Sequence, residues 1–238
     1  AGRQQMEKPK YDWIDGVFSL FFICLMFFGY VLLMNLYFDI GRYGRDISDS
    51  FLLVSQLGFG GFFLLLIAVF LKIRKQKWSS VGLTSKNGKK SLRLGLFYSV
   101  VFIIVFLIIH WIKGDISIQS DWQKTLDKAL YFLIVVAFFE EVTFRGFINS
   151  RLKGLIKNQT ITIILTALFF SLMHMPFKSM SFEGDVMQYF AINGTYHIIL
   201  CFVHVIFQHF FDQHNNILAP GIMHFSFDFF QWFLIGIE

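Results

Sequence analysis

Charge is what this chain has least of. Only 16% of its 238 residues are Asp, Glu, Lys or Arg, against about a quarter in ordinary soluble domains, and that excludes a fully solvated globular surface. Proline is scarce as well, with three in the chain. No low-complexity tract or repeat of fixed period interrupts the sequence, which excludes flexible linkers and repeat arrays. The two cysteines, Cys24 and Cys201, both fall inside apolar runs, so a disulfide framework is excluded and the redox compartment stays open. No His-Glu-x-x-His pair occurs either, so the helical zinc-protease signature is missing.

What is present is apolar. The chain is 55% hydrophobic and carries 33 phenylalanines, the composition of a polytopic membrane protein of the all-α class. Crossing the hydrocarbon takes about 20 apolar residues, and seven runs supply them: 17–38, 51–71, 93–112, 129–148, 160–177, 186–211 and 216–237. The first is too long for a signal-peptide core and no small-residue cleavage site follows it, so it is read as a mature span. Asn193 and Gly194 are candidates for a break near the start of the sixth. We expect one domain, a transmembrane helical bundle of about seven spans.

Orientation follows from the basic residues. Fourteen of the 21 lysines and arginines fall on one face: Arg3, Lys8 and Lys10, then Lys72 through Arg93 in the second loop, then Arg151, Lys153 and Lys157. Arg42, Arg45, Lys113, Lys124, Lys128 and Lys178 make six on the other. The positive-inside rule puts the N-terminus in the cytoplasm of a multi-pass cell-membrane protein. The net charge of +5 is accounted for by this bias, so no nucleic-acid partner is expected. The lipid bilayer is a partner, and the second loop can also touch its anionic headgroups.

Against this background the stretch AFFEEVTFRGF, residues 137–147, needs a reason. A charge at the bilayer centre costs about 2.5–3.5 kcal/mol even on lenient scales, and Glu140, Glu141 and Arg145 stand within six residues. Four-residue spacing lets Glu141 reach Arg145, whereas adjacent residues diverge by about 100° on a helix, so Glu140 is expected to point elsewhere, without a local partner. An isolated carboxylate at membrane depth suits a general base better than a structural ion pair. Two later runs add polar groups at the same i, i+4 spacing: FSLMH, ending at His174, and HFSFD, which holds His224 and Asp228.

In order and approximate spacing, EEVTFR, FSLMH and HFSFD resemble the three motifs of the CPBP family of intramembrane proteases, also called the Abi or CAAX-processing family. The resemblance covers about residues 125–238, which divides the chain into N-terminal transmembrane helices with a basic cytoplasmic loop (1–124) and a CPBP-like catalytic helical core (125–238). It implies a helical bundle with a conical cavity open to the cytosol. It also implies an intramembrane endopeptidase in which Glu140 and His174 activate the attacking water, while His224 and the residue at 228 stabilise the oxyanion. Glu141 and Arg145 complete the site. Where the family more often has asparagine, this chain has Asp228, which must be protonated, orient His224, or bind metal; the protonated donor is the preferred reading.

A cofactor is left open. A divalent metal such as zinc, held by Glu140 or Glu141 with His174 and His224, and a metal-free water activated by Glu and His need the same residues. His197, His204, His209 and His214 in the sixth run are read as packing or interfacial. The substrate is expected to be a membrane-associated peptide or protein. The Phe, Ile and Lys bias looks bacterial, which favours a peptide precursor, as in bacteriocin maturation, or a membrane-protein segment over a prenylated CAAX protein. Two other functions compete. A catalytically idle Abi-type scaffold binding another membrane protein has no reason to keep the whole polar set, and a transporter calls for paired broken helices in related halves, which are not found. The oligomeric state is not legible.

Overall fold

In the computed structural model, which describes residues 11–42, 49–176 and 186–236, the chain is helical, with no strand among the described residues. With no water in the hydrocarbon to satisfy backbone groups, apolar runs of this length close their hydrogen bonds internally. The elements are α1 (Trp13–Arg42), α2 (Asp49–Ile73), a 3-10 turn (Trp78–Val81), α3 (Gly88–Lys113) and α4 (Trp122–Leu130). Two π-helical stretches, Tyr131–Phe138 and Glu141–Ile148, run on into α5 (Asn149–Leu152). After these come α6 (Gln159–Met173), α7 (Val186–His214) and α8 (Leu218–Ile235).

Local signals set several of these boundaries. The Asp121 side chain accepts from the Lys124 amide at α4, and Asn158 does the same for Ile161 at α6, which satisfies amides that have no partner inside the helix. Gly114 and Gly236, both in the left-handed conformation, end α3 and α8. From Trp122 to Leu152 the chain never leaves helical geometry, because each junction residue stays right-handed. We call this whole stretch the motif helix.

Four helices are long and apolar enough to cross a membrane: Trp13–Asp39, Phe51–Ile73, Gly88–Lys113 and Met187–His214. The other three expected spans are shorter or interrupted. The run at 160–177 forms the 15-residue α6, with position 177 outside the described residues. The run at 129–148 is broken into π-helical stretches, and that at 216–237 contributes the 18 residues of α8. These are the elements that carry the polar motifs: α6 is apolar but only 15 residues long, whereas His224, Asp228 and Gln231 lower the hydropathy of α8. Asn193 and Gly194 do not break α7. The Asn193 amide donates to the Tyr189 carbonyl one turn back, and the helix runs through both residues.

Phenylalanine builds the core. Phe18 stacks on Phe70 with centroids 4.1 Å apart, and Phe22 packs at 5.2 Å from Phe147, so α1 and α2 grip one side of the motif helix. On the other side α3 lies along α8, and α6 along α7. At the basic end a polar clasp closes the bundle. The buried Arg151 lies between the rings of Tyr11 and Phe147 and donates to Ser80, Gln76 and the Gly146 carbonyl. Arg74 bridges Asp12 and Asp15. The Asp15 backbone amide, and then Arg74, hold the Asp12 carboxyl below its usual range. The Asp12 contribution is therefore full above the ordinary carboxylate range and fades as pH falls through the lowered value.

One glycine fixes how closely the motif helix approaches this clasp. A Cβ at Gly146 would stand 2.3 Å from the Val81 carbonyl oxygen, a backbone atom that cannot rotate away. Gly146→Ala should therefore cost about 1–3 kcal/mol through overpacking, read as a lower melting temperature in detergent. An unchanged melting temperature would show that the helix does not sit against the turn.

Candidate active site

Glu141 lies at the bottom of the site. Its side chain and that of Arg145 are fully buried, which charged groups rarely are unless paired. Glu141 Oε1 stands 3.0 Å from Arg145 Nη1 and 2.8 Å from His224 Nδ1. The Arg145 contact is an ion pair without hydrogen-bond alignment, since Nη1 makes no hydrogen bond. Two rings hold the guanidinium in place, with Cζ 4.5 Å from the Phe170 centroid and 5.5 Å from that of Phe207. Such cation–π contacts strengthen as water is removed. The expected Glu141–Arg145 pair is thus present in the structure.

Glu140 departs from the expectation. It does not point away from its neighbour's partner: Glu140 Oε2 lies 3.7 Å from His224 Nε2. Adjacent glutamates flank one imidazole because its two nitrogens lie on different edges of the ring. The wider i→i+5 turn that begins at Glu141 also changes the angular spacing from that of an α-helix. Asp228, four residues after His224 on α8, brings Oδ2 to 3.2 Å from the same Nε2. Both ring nitrogens therefore face carboxylate oxygens, and only the doubly protonated ring can donate to both sides.

His174 stands apart. It caps the end of α6, and its Nδ1 donates to the Phe170 carbonyl at 2.8 Å. It makes no hydrogen bond to Glu140 or Glu141 in the structure. Its link to the other motif residues is the Phe170 ring, 4.8 Å from His174 and 6.3 Å from His224 between centroids. With Nδ1–H committed to a carbonyl, Nε2 holds the lone pair. His174 follows the last turn of α6, the turn that supplies Phe170.

The exposures separate these groups. Glu141 is 0% exposed, whereas the side chains of Glu140 and Asp228 are 19% and 24% exposed, and His174 is half-buried. The arrangement is a closed Glu141–Arg145 base beneath a rim of Glu140, Asp228 and His174, with His224 between them.

The ligand set considered for a metal, Glu140 or Glu141 with His174 and His224, is not gathered at one point in the structure. Among the described residues, no three His, Cys, Asp or Glu groups are gathered so as to hold an ion. His224 has a carboxylate at each nitrogen, Glu141 Oε1 is engaged with Arg145, and His174 makes no contact with the glutamates.

Sequence reasoning missed two features of α7. His197 is buried, with Nδ1 2.7 Å from Ser171 Oγ and Nε2 2.5 Å from the Tyr189 hydroxyl. This polar clasp joins α7 to α6 one residue after Phe170, and it bears out a packing role for His197. His204 is fully buried against Phe144 and Phe170. The signal for it lay in the i, i+4, i+8 series His204, Gln208 and Asp212. His209 is exposed and meets Gln213, as an interfacial residue would, and His214 is partly exposed at the end of α7.

Residues 122–230 match the model of the family described as Type II CAAX prenyl endopeptidase Rce1-like. The matched segment contains all three motifs, from Glu140 to Asp228. No curated protein and no solved structure gives a significant match.

If Glu141 is neutralised mainly by Arg145, Arg145→Ala leaves a buried carboxylate exposed to the hydrocarbon and should cost about 3–5 kcal/mol. Yield and detergent stability should fall together, whereas Glu140→Ala, at the partly exposed rim, should melt near the parent. Equal melting temperatures for the Arg145 variant and the parent would remove the ion pair from the account.

Proposed function

We propose, from the premise that residues 122–230 belong to the CPBP (Abi) family of intramembrane proteases, that this protein hydrolyses a peptide bond of a membrane-associated peptide or protein with a carboxylate-activated water. The observation that carries this reading is the split between the buried Glu141–Arg145 pair and the partly exposed Glu140 and Asp228 around one imidazole. A reacting bond needs access to some of these groups and rigidity from the others.

In this reading Glu140 takes a proton from the attacking water as its oxygen adds to the scissile carbonyl carbon, and later returns the proton to the leaving amine. Base and acid roles of this kind contribute about 10²–10⁴-fold. His174 Nε2, free to accept, holds the second hydrogen of the same water. His224 Nε2–H, which faces Asp228 in the free site, is shared with the developing oxyanion, while Glu141 accepts Nδ1–H from below and Asp228 orients the ring from the side. The 3.2 Å contact of Asp228 with His224 Nε2 supports an orienting role over a direct hydrogen bond to the oxyanion. No step is assigned to a metal.

The family's name points to processing of prenylated C-terminal segments. With a bacterial composition, we take the substrate to be a peptide precursor or membrane-protein segment, entering a membrane-embedded site from the cytoplasmic, basic end. The comparison that tests this is peptidomics of membranes containing the intact protein or Glu140→Gln. The Gln variant should fold and insert while cleavage falls by about 10²-fold or more, with uncut precursors accumulating. Near-normal cleavage by Glu140→Gln would overturn the assigned mechanism.

Asp228 allows a finer test. An asparagine carbonyl can accept the same His224 Nε2–H, so Asp228→Asn should keep activity within about tenfold, whereas Asp228→Leu should lose about 10²–10³-fold, as for removal of one group that supports an oxyanion. Equal activity in both variants would show that His224 does not depend on this side chain.

A further inference from the structure

The fully buried polar groups of α7 take no part in the chemistry above. His204 and Gln208 are both 0% exposed. Neither ring nitrogen of His204 has a hydrogen-bond partner among the described residues, and neither does Gln208 Oε1. Close by, Arg145 Nε and Nη2 and Glu141 Oε2 are in the same position. The Phe170 ring joins the two groups, with the Arg145 guanidinium 4.5 Å from its centroid and the His204 ring 5.1 Å from it. Phe207 packs against both Arg145 and His224. Buried polar groups are nearly always satisfied, and a buried water typically makes two to four hydrogen bonds to groups of this kind.

The series continues outward. Gln208 Nε2 donates to Asp212 Oδ1 at 3.1 Å, and Gln159, at the start of α6, donates to Asp212 Oδ2 at 2.9 Å. Asp212 is partly exposed. Residues four apart share a helix face, so His204, Gln208 and Asp212 form one polar stripe on α7. It runs from beside the Arg145–Glu141 pair to the basic end of the bundle, where Asn215 and Asn87 tie the end of α7 to the second loop.

We propose that this stripe binds a file of water molecules that connects the buried Arg145–Glu141–His224 centre with the aqueous phase at the basic end. Its use rests on the hydrolytic reading, because each peptide bond cut consumes one water molecule and the centre lies within an apolar bundle. The inner end of the file lies beside Arg145, whose guanidinium and the His204 ring both contact Phe170.

The path can be tested with water itself as the probe. The intact protein in nanodiscs is pulsed with X-rays in ¹⁸O-water, and the hydroxyl radicals formed from the water mark the side chains beside it. His204 should be labelled at a rate within about tenfold of the exposed His209 on the same helix, and well above the fully buried Phe22, if water occupies polar sites along α7. Labelling of His204 no faster than that of Phe22 would overturn the proposal. Gln208→Leu should cut His204 labelling by about tenfold while leaving that of His209 unchanged, because it removes the middle polar group of the file. Undiminished labelling in this variant would assign the water to another route and overturn the stripe. The labelling needs no substrate, so its failure is distinct from failure of the peptidase reading, which would show in the Glu140 comparison.

Discussion

The position of Glu141 Oε1, within 3.0 Å of both an arginine on its own helix and a histidine on another, is the constraint on which the rest of the site depends. An isolated carboxylate in hydrocarbon is costly. Arg145 offsets its charge within the motif helix, and that leaves His224 to bring α8 to the same oxygen. Once His224 is fixed by Nδ1, its Nε2 edge faces Glu140 and Asp228. Two glutamates adjacent in the chain can then serve different ends, one buried and holding, the other partly exposed at the rim.

Charge balance adds a second constraint. Glu140, Glu141 and Asp228 gather around one arginine, Arg145, and one imidazole, His224, so three acidic groups stand against two basic ones. The excess lies on the exposed side, where Glu140 and Asp228 retain some access to water, and the neutral pair lies on the closed side. Buried ion pairs are poor sources of stability. Keeping this set in an apolar bundle is easier to understand if the rim does chemistry than if the whole cluster only packs.

Much of this was legible in the sequence because spacing and composition act locally. The Glu141–Arg145 pair follows from i, i+4 geometry, the helical class from long apolar runs, and the resemblance to the family from three motifs in order, all of which lie in the segment 122–230 that the family model matches. What was not legible depends on how helices meet. Glu140 has no partner on its own helix, as spacing implies, and it meets His224 of α8 across the bundle, but on the same imidazole as Glu141, which helix spacing did not reveal. His204 was read as packing or interfacial, and in the fold it packs on Phe144 and Phe170, beside the Arg145–Phe170 contact, a neighbour that spacing along α7 alone does not reveal. The count of seven spans relied on hydropathy in the segments where the motifs lower it, and length and composition support four.

The account turns on Glu141 holding His224 as well as Arg145, and a double-mutant cycle measures that directly. Reversible unfolding free energies in bicelles would be compared for the parent, Glu141→Gln, His224→Phe and the double variant. Residues in contact within one buried network couple by about 0.5–3 kcal/mol, and the 2.8 Å contact predicts a value in the upper half of that range. If the two changes were additive within about 0.3–0.5 kcal/mol, Glu141 would not hold the histidine, and the site would have to be organised in some other way.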